Sequence, residues 1–251
     1  MNARPAADGH LLNGDPQELD QRLTEWCRER GLPAYRSRQI RDHLIDQRTL
    51  NATDMSTLPK AIREELGQEL LAPAVAIETV LRSTDGTLKF LFRLKDGRSV
   101  EAVWIPTQDR GTLCVSSQVG CAAGCTFCAT GTMKLTRNLD TSEIIGQWHA
   151  VDQFTRNEGK VGVTQMVFMG MGEPLHNFAA VSRSLHWLTS PEAFGMSPRR
   201  ITVSTVGIVP KIRPLIEEHP QIRLAVSLHS AVEETRARIV PIQSKHSLAD
   251  L

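Results

Sequence analysis

No segment of this 251-residue chain comes near the ~20 consecutive apolar residues that a membrane-spanning helix needs. Residues 1–15 also lack the basic start and apolar run of an export leader. Those absences predict a cytoplasmic protein with no membrane partner. Net charge is missing too: 29 Lys and Arg against 28 Asp and Glu leave +1, so a polyanion would have to be met by a local patch, not a global field. There is no internal repeat and no low-complexity tract. Nor is the cysteine count even. Cys27, Cys114, Cys121, Cys125 and Cys128 make five, four of them crowded together, which favours metal binding or catalysis over a disulfide framework.

What is present is an ordinary globular composition, 41% hydrophobic, enough for a substantial core in one or two domains. After a start expected to be disordered over residues 1–14, Asp15-Pro16-Gln17-Glu18 reads as a helix N-terminus, with Leu19, Leu23 and Trp26 on one face and Gly31 ending the helix. Ser37 is the expected cap of a second helix holding Ile40 and Leu44, and Thr57 that of a third holding Ile62 and Leu66. Cys27, Trp26, Trp104, Trp148 and Trp187 read as structural. Between Arg22 and Arg63 nine Arg and Lys face five Asp and Glu, either a solvated helical surface or a phosphate-contacting one.

The period then changes. Residues 87–94 and 99–105 alternate around Asp96-Gly97, as in a hairpin, and Pro106 and Gly111 suggest a linker. From residue 112 onward short apolar stretches (113–116, 163–169, 201–204 and 224–228) alternate with amphipathic ones, the rhythm of βα units around a parallel sheet.

The most specific feature is Cys121-Ala122-Ala123-Gly124-Cys125-Thr126-Phe127-Cys128, just after the first strand of that series. Three thiolates on one loop can hold three irons of a cubane and leave the fourth open to a non-protein ligand. The amino and carboxylate groups of S-adenosylmethionine can chelate such an iron. The alternative is structural zinc, which needs a fourth protein ligand that the loop does not offer nearby. At the carboxyl end of the 163–169 strand, the glycines of Gly170-Met171-Gly172-Glu173-Pro174 allow close backbone approach to a ligand, and Glu173 can accept from an amino group; taken alone this is equally a plain turn. Ser204 and the run Ser227-Leu228-His229 end the next two strands, where structural roles are the default. Glu101 shares a strand face with Val103 and Ile105, which favours a cross-hairpin ion pair, and Cys114 reads as a buried thiol.

The cysteine loop, together with Cys114-Val115-Ser116-Ser117-Gln118-Val119-Gly120 before it and Cys128-Ala129-Thr130-Gly131 and Arg137-Asn138-Leu139 after it, resembles the RlmN/Cfr family of radical SAM RNA methyltransferases. The likeness extends over almost the whole chain, including Tyr35-Arg36-Ser37-Arg38-Gln39-Ile40. It implies an α/β fold: a partial (β/α) radical SAM barrel of about four of the family's six βα units (residues 107–251), preceded by a helical accessory domain with a β-hairpin (residues 15–106).

The resemblance further implies a [4Fe-4S] cluster on Cys121, Cys125 and Cys128, and S-adenosylmethionine contacted by Gly172, Glu173, Ser204, Ser227, Leu228 and His229. The implied reaction is methylation of adenine C2 in 23S rRNA and tRNA. In that family a methyl group carried on a late cysteine is activated by the 5′-deoxyadenosyl radical and added to the ring. Glu101 would take the ring proton as general base and Cys114 would resolve the covalent intermediate by disulfide formation. A monomer reduced by a flavodoxin-type donor is the implied working form. No cysteine follows Cys128, so the resemblance reads the chain as C-terminally truncated, with 224–228 an uncovered edge strand. Methylation at adenine C8, as in the Cfr branch, and a non-catalytic iron–sulfur or zinc RNA-binding module are the alternatives.

Overall fold

The computed structural model of the protein describes residues 9–251, so residues 1–8 of the start expected to be disordered lie outside the described residues. Residues 9–14 correct that expectation, because they are packed. Leu11 and Leu12 are buried, and Leu11 N–H donates to the Leu70 carbonyl at 2.9 Å. Burial holds the His10 imidazole down to a pKa of about 4, so the ring is neutral, accepts from Leu12 N–H and contacts the Ala72 carbonyl through Nε2 at 3.1 Å. The Trp187 indole N–H closes the segment onto the Gly14 carbonyl at 2.9 Å.

Three helices follow, α1 (Leu19–Glu29), α2 (Tyr35–Ile45) and α3 (Lys60–Glu69). As expected, Asp15 caps the one-turn entry to α1, accepting from Gln17 N–H at 2.9 Å. The other two caps differ from expectation. Tyr35 already begins α2, inside which the Ser37 hydroxyl donates back to the Ala34 carbonyl, and α3 starts after Pro59 with no side-chain cap. Thr57 is used elsewhere: its hydroxyl lies 2.8 Å from Gln39 Nε2 and 2.6 Å from His43 Nε2, tying α2 to the α3 approach. A long-range partner has displaced the local one.

One seven-stranded sheet holds the rest together. Its strands are β1 (Val75–Arg82), β2 (Leu88–Leu94), β3 (Ser99–Thr107), β4 (Arg110–Cys114), β7 (Gln165–Phe168), β8 (Ile201–Thr205) and β9 (Arg223–Val226), in the order β1-β2-β3-β4-β7-β8-β9. A separate pair, β5 (Gln118–Val119) with β6 (Arg137–Asn138), flanks the cysteine loop. The first three pairings are antiparallel and the last three parallel. The expected linker at Pro106 and Gly111 is therefore absent: the two residues face each other in the β3–β4 ladder. Pro106 sits one residue from the end of β3, where a missing N–H costs the ladder least. A boundary at 106/107 likewise falls within β3, and the sheet runs through it.

The four parallel strands lead into α5 (Thr141–Asn157), α6 (Phe178–Thr189), α7 (Val209–Glu218) and α8 (Glu233–Ile239), while the single turn α4 (Ala129–Thr132) follows the cysteine loop. This is the partial (β/α) barrel expected, with the tryptophans of β3, α5 and α6, Trp104, Trp148 and Trp187, buried in its core. A reciprocal box starts α5, with Asp140 and Glu143 each bonded to the other's backbone. Among the described residues β9 is the sheet's edge at this end.

Candidate active site

Side chains at directly paired positions point to the same side of a sheet. Following the register from β3 outward, Val103 faces Cys114, Cys114 faces Val167, Val167 faces Thr202 and Thr202 faces Arg223. Steps of two along the strands add Glu101, Ser204 and Ser227 to that row. The other face carries Val100, Ala102, Trp104, Leu113, Met166, Phe168, Ile201 and Val203, all buried. So the candidates from four different strands share the face turned away from the helical core.

Where these strands end, a cavity of about 270 Å³ opens, lined by Cys121, Cys125 and Cys128 on one side and by Gly172, Glu173, Ser204, Ser227 and His229 on the other. Nine sequence candidates thus divide cleanly into those eight lining residues and Leu228, which is 43% exposed and lies outside the lining. Glu101 and Cys114 stand outside the lining as well, on the adjoining stretch of the same sheet face.

The thiol loop is held from both sides. Gly120 enters it at φ +77°, with the Met133 and Lys134 carbonyls where a Cβ would stand, so no other residue fits without backbone movement. Thr126 N–H donates to the Ile239 carbonyl at 3.0 Å, and Val240 packs on Ala123 and Cys125. Burial raises the Cys121 and Cys125 thiols above their ordinary values, and neighbouring thiolates and Glu173 add to the effect. Loading that loop with negative charge is unfavourable until a cation shares it, which suits a metal-cluster site. Among the described residues the cavity lining includes these three cysteines and no fourth, which matches a cubane with one iron left to a non-protein ligand. The donor set fits a multi-iron cluster better than one zinc ion.

Glu173 is almost fully buried at the end of β7. One carboxylate oxygen accepts from Leu175 N–H at 3.0 Å and the Thr205 hydroxyl at 2.8 Å, and the other from Val206 N–H at 2.9 Å. Burial pushes its pKa up, against those three bonds. A carboxylate has about four lone-pair sites, so roughly one remains for an amino group in the cavity. Gly172, at φ +103° against Gln118, turns the chain so that Glu173 N–H reaches Gln118 Oε1 at 2.8 Å. On the neighbouring strand ends the Ser204 and Ser227 hydroxyls are 3.1 Å apart, and His229, itself at φ +60°, packs its ring 4.2 Å from Phe127 of the thiol loop.

The cross-hairpin ion pair expected of Glu101 is present: Lys89 Nζ is 2.7 Å away. The face it shares with Val103 and Ile105 is partly exposed, however, and is not the core face. The Glu101 carbonyl accepts from the Ser116 hydroxyl at 2.5 Å, and its N–H points at Met171 sulfur at 3.4 Å, which ties it to the strand-end loops. Burial raises the Cys114 thiol. All five cysteines are free.

Three participants escaped sequence reasoning, namely Gln118, Thr205 and Arg236. No local motif marks them, because each acts on residues distant in the chain. Arg236 of α8 is 1% exposed and donates from Nε to the Leu228 carbonyl at 3.1 Å, from Nη2 to the Val206 carbonyl at 2.5 Å and from Nη1 to Gln243. It thereby ties two strand ends of the cavity together. Replacing Arg236 by Met keeps the apolar stem and removes the donors from two part-buried carbonyls, so a loss of about 1–3 kcal/mol is expected, with Arg236→Lys intermediate. A urea denaturation midpoint unchanged in Arg236→Met would show that the two carbonyls find other donors.

Residues 115–248 match the family model described as the radical SAM superfamily. A relative from Gemmatimonas aurantiaca, "Probable dual-specificity RNA methyltransferase RlmN", is 44% identical over 96% of the chain and 66% of the relative. Another of that name, from Desulfitobacterium hafniense, is 41% identical over 94% of the chain and 68% of the relative. The crystal structure of a radical SAM methyltransferase from Sphaerobacter thermophilus superposes with a TM-score of 0.88 at 40% identity, covering 96% of this chain and 70% of that one. The chain spans about two thirds of the length of these curated relatives.

Proposed function

Because the chain belongs to the radical SAM superfamily, and within it to the RlmN family, we propose that it serves the methylation of adenine C2 in 23S rRNA and tRNA. Membership implies a [4Fe-4S] cluster and S-adenosylmethionine. Cys121, Cys125 and Cys128 would hold the cluster. Together the two groups supply a one-electron cleavage that makes carbon radicals, a route an electron-poor ring carbon requires.

The observation that carries this reading is the single cavity shared by the three thiols, Glu173 and the strand-end serines. Glu173 would take the amino group of S-adenosylmethionine on its remaining lone pair. Ser204, Ser227 and His229, which line the cavity, would meet the cofactor's ribose and carboxylate oxygens, with Gly172 leaving room for them. Glu101 and Cys114, further along the same sheet face, would act on the RNA base, the first holding the ring proton and the second offering a thiol to the covalent intermediate. The cations of α1, α2 and the following loop would supply phosphate contacts, apart from Arg30 and Arg41, which pair with Glu65, Glu69 and Asp20, and a flavodoxin-type protein would supply the electron.

Joined to the C-terminal segment of an RlmN relative, which supplies the late cysteine that no residue after Cys128 provides here, reconstituted anaerobically with iron and sulfide and given methyl-labelled S-adenosylmethionine, the protein should transfer label to 23S rRNA fragments, with the label at C2 by nuclease digestion and mass spectrometry. Label at C8 would move it to the other branch of the family. An extended protein that loads a cluster, cleaves S-adenosylmethionine and labels no RNA would refute the substrate assignment.

A further inference from the structure

Away from the cavity, α6 and the end of α7 bring together a second set of metal-ligating side chains, His186, Glu218 and His219. Their nearest ligand atoms all lie within 4.8 Å of one another. In a continuous helix, residues i and i+1 diverge by about 100° and cannot share a partner. Glu218 and His219 do, because α7 ends between them: His219 has left helical geometry (φ −132°, ψ 64°). Both converge on Ser182 of α6, whose hydroxyl donates to Glu218 Oε2 at 2.7 Å and lies 2.8 Å from His219 Nε2. His186 is four residues on from Ser182, one turn along the same face, and its ring centroid is 4.5 Å from that of His219.

We propose that His186, Glu218 and His219 form a site for one divalent transition-metal ion of the zinc class, distinct from the cluster, that pins α6 to the end of α7. Two imidazoles and one carboxylate are the usual nitrogen–oxygen donor set for such ions. The ligand span is close to what is needed. His219 Nε2 and Glu218 Oε2 are 4.0 Å apart, whereas tetrahedral bonds of ~2.0–2.1 Å place donors about 3.3–3.4 Å apart. His186 and Glu218 are exposed and His219 is buried, so two mobile ligands close onto one fixed ligand.

The fixed ligand is His219, whose Nε2 now meets the Ser182 hydroxyl at 2.8 Å, a contact the ion would replace. Ser182 stays bonded to the carboxylate as the outer partner that orients a ligand. The location argues for a structural ion. α7 runs back from the carboxyl end of β8, so its last turn lies at the opposite end of the sheet from the cavity, where barrel residues serve stability and not chemistry.

The test uses the cluster-loaded protein, in which the loop thiols are occupied, titrated anaerobically with Zn²⁺ by calorimetry and with Co²⁺ by visible absorption. One equivalent should bind with micromolar affinity, and Co²⁺ should show the d–d bands of a low-coordinate site. His186→Ala and Glu218→Gln, both at exposed positions, should each weaken binding at least about tenfold, and Ser182→Ala by about tenfold as an outer partner. Iron and sulfide content should stay unchanged in all three. Zn²⁺ should raise the melting temperature of the parent protein and leave that of His186→Ala unmoved. Binding no tighter than millimolar, or binding unaffected by His186→Ala and Glu218→Gln, overturns the proposal.

Discussion

Alanine at any one of Cys121, Cys125 or Cys128 is expected to abolish reductive cleavage of S-adenosylmethionine, while alanine at Cys27 or Cys114 leaves it intact. A four-iron cluster held by three protein thiolates has no spare ligand. Losing one leaves two irons open, and the cluster falls apart or binds the wrong partner. Nothing nearby replaces it, because the loop is pinned by Gly120 and by the Thr126–Ile239 bond and cannot slide to bring a neighbour into register. Cys114 lies in β4, paired with Val103 and Val167, outside the cavity lining, and Cys27 is buried in the core at α1. Iron and sulfide analysis and 5′-deoxyadenosine yield are the measurements. A Cys128→Ala protein that still cleaves S-adenosylmethionine would refute the ligand assignment, as would stoichiometric zinc without labile sulfide.

The second large effect is a separation of steps. In a version extended with a relative's C-terminal segment, Glu101→Gln should leave 5′-deoxyadenosine formation within about twofold of the parent value, while RNA methylation falls by roughly 10²–10⁴, the usual share of a positioned general base. The substitution keeps the shape and removes the ability to take a proton. Cofactor cleavage should survive because Glu101 is not in the cavity lining that the thiols and Glu173 share. The ion pair with Lys89 supplies the control. Both partners are over two-fifths exposed at the side chain, so the pair stabilises the hairpin little. Lys89→Met, which breaks the same pair, should not reproduce the loss. Should Glu101→Gln methylate normally, Glu101 is only the partner of Lys89.

The cluster loop was legible without any structure because its chemistry is local: three thiols at fixed spacing on one turn need no distant residue to be recognised. The four parallel strands were legible for a related reason, since an apolar run bounded by turn residues carries its own signature. β1 was not, because Val75–Arg82 is mostly exposed along both faces and shows no alternation. The caps at Ser37 and Thr57 were misread because a hydroxyl near a helix start satisfies whichever partner the tertiary structure brings closest. Pro106 and Gly111 punctuate a sequence, yet here they close a hairpin.

By itself, then, the sequence determined which three thiols are the candidate cluster ligands, the hairpin, the βα rhythm that follows it and the glycines that turn the loops. Tertiary structure decided everything that depends on partners far apart in the chain. It set the three donors on Glu173, supplied from Leu175 by the local turn and from Thr205 and Val206 by the next strand. It buried Arg236 against two strand ends, paired Glu101 with Lys89 and folded His186 over Glu218 and His219. The physical reason is the same in each case. Spacing along a chain reports which side chains leave one turn or strand together, whereas hydrogen bonds, ion pairs and ligand sets form between whatever surfaces packing brings within about 3 Å, and packing is settled by the whole core at once.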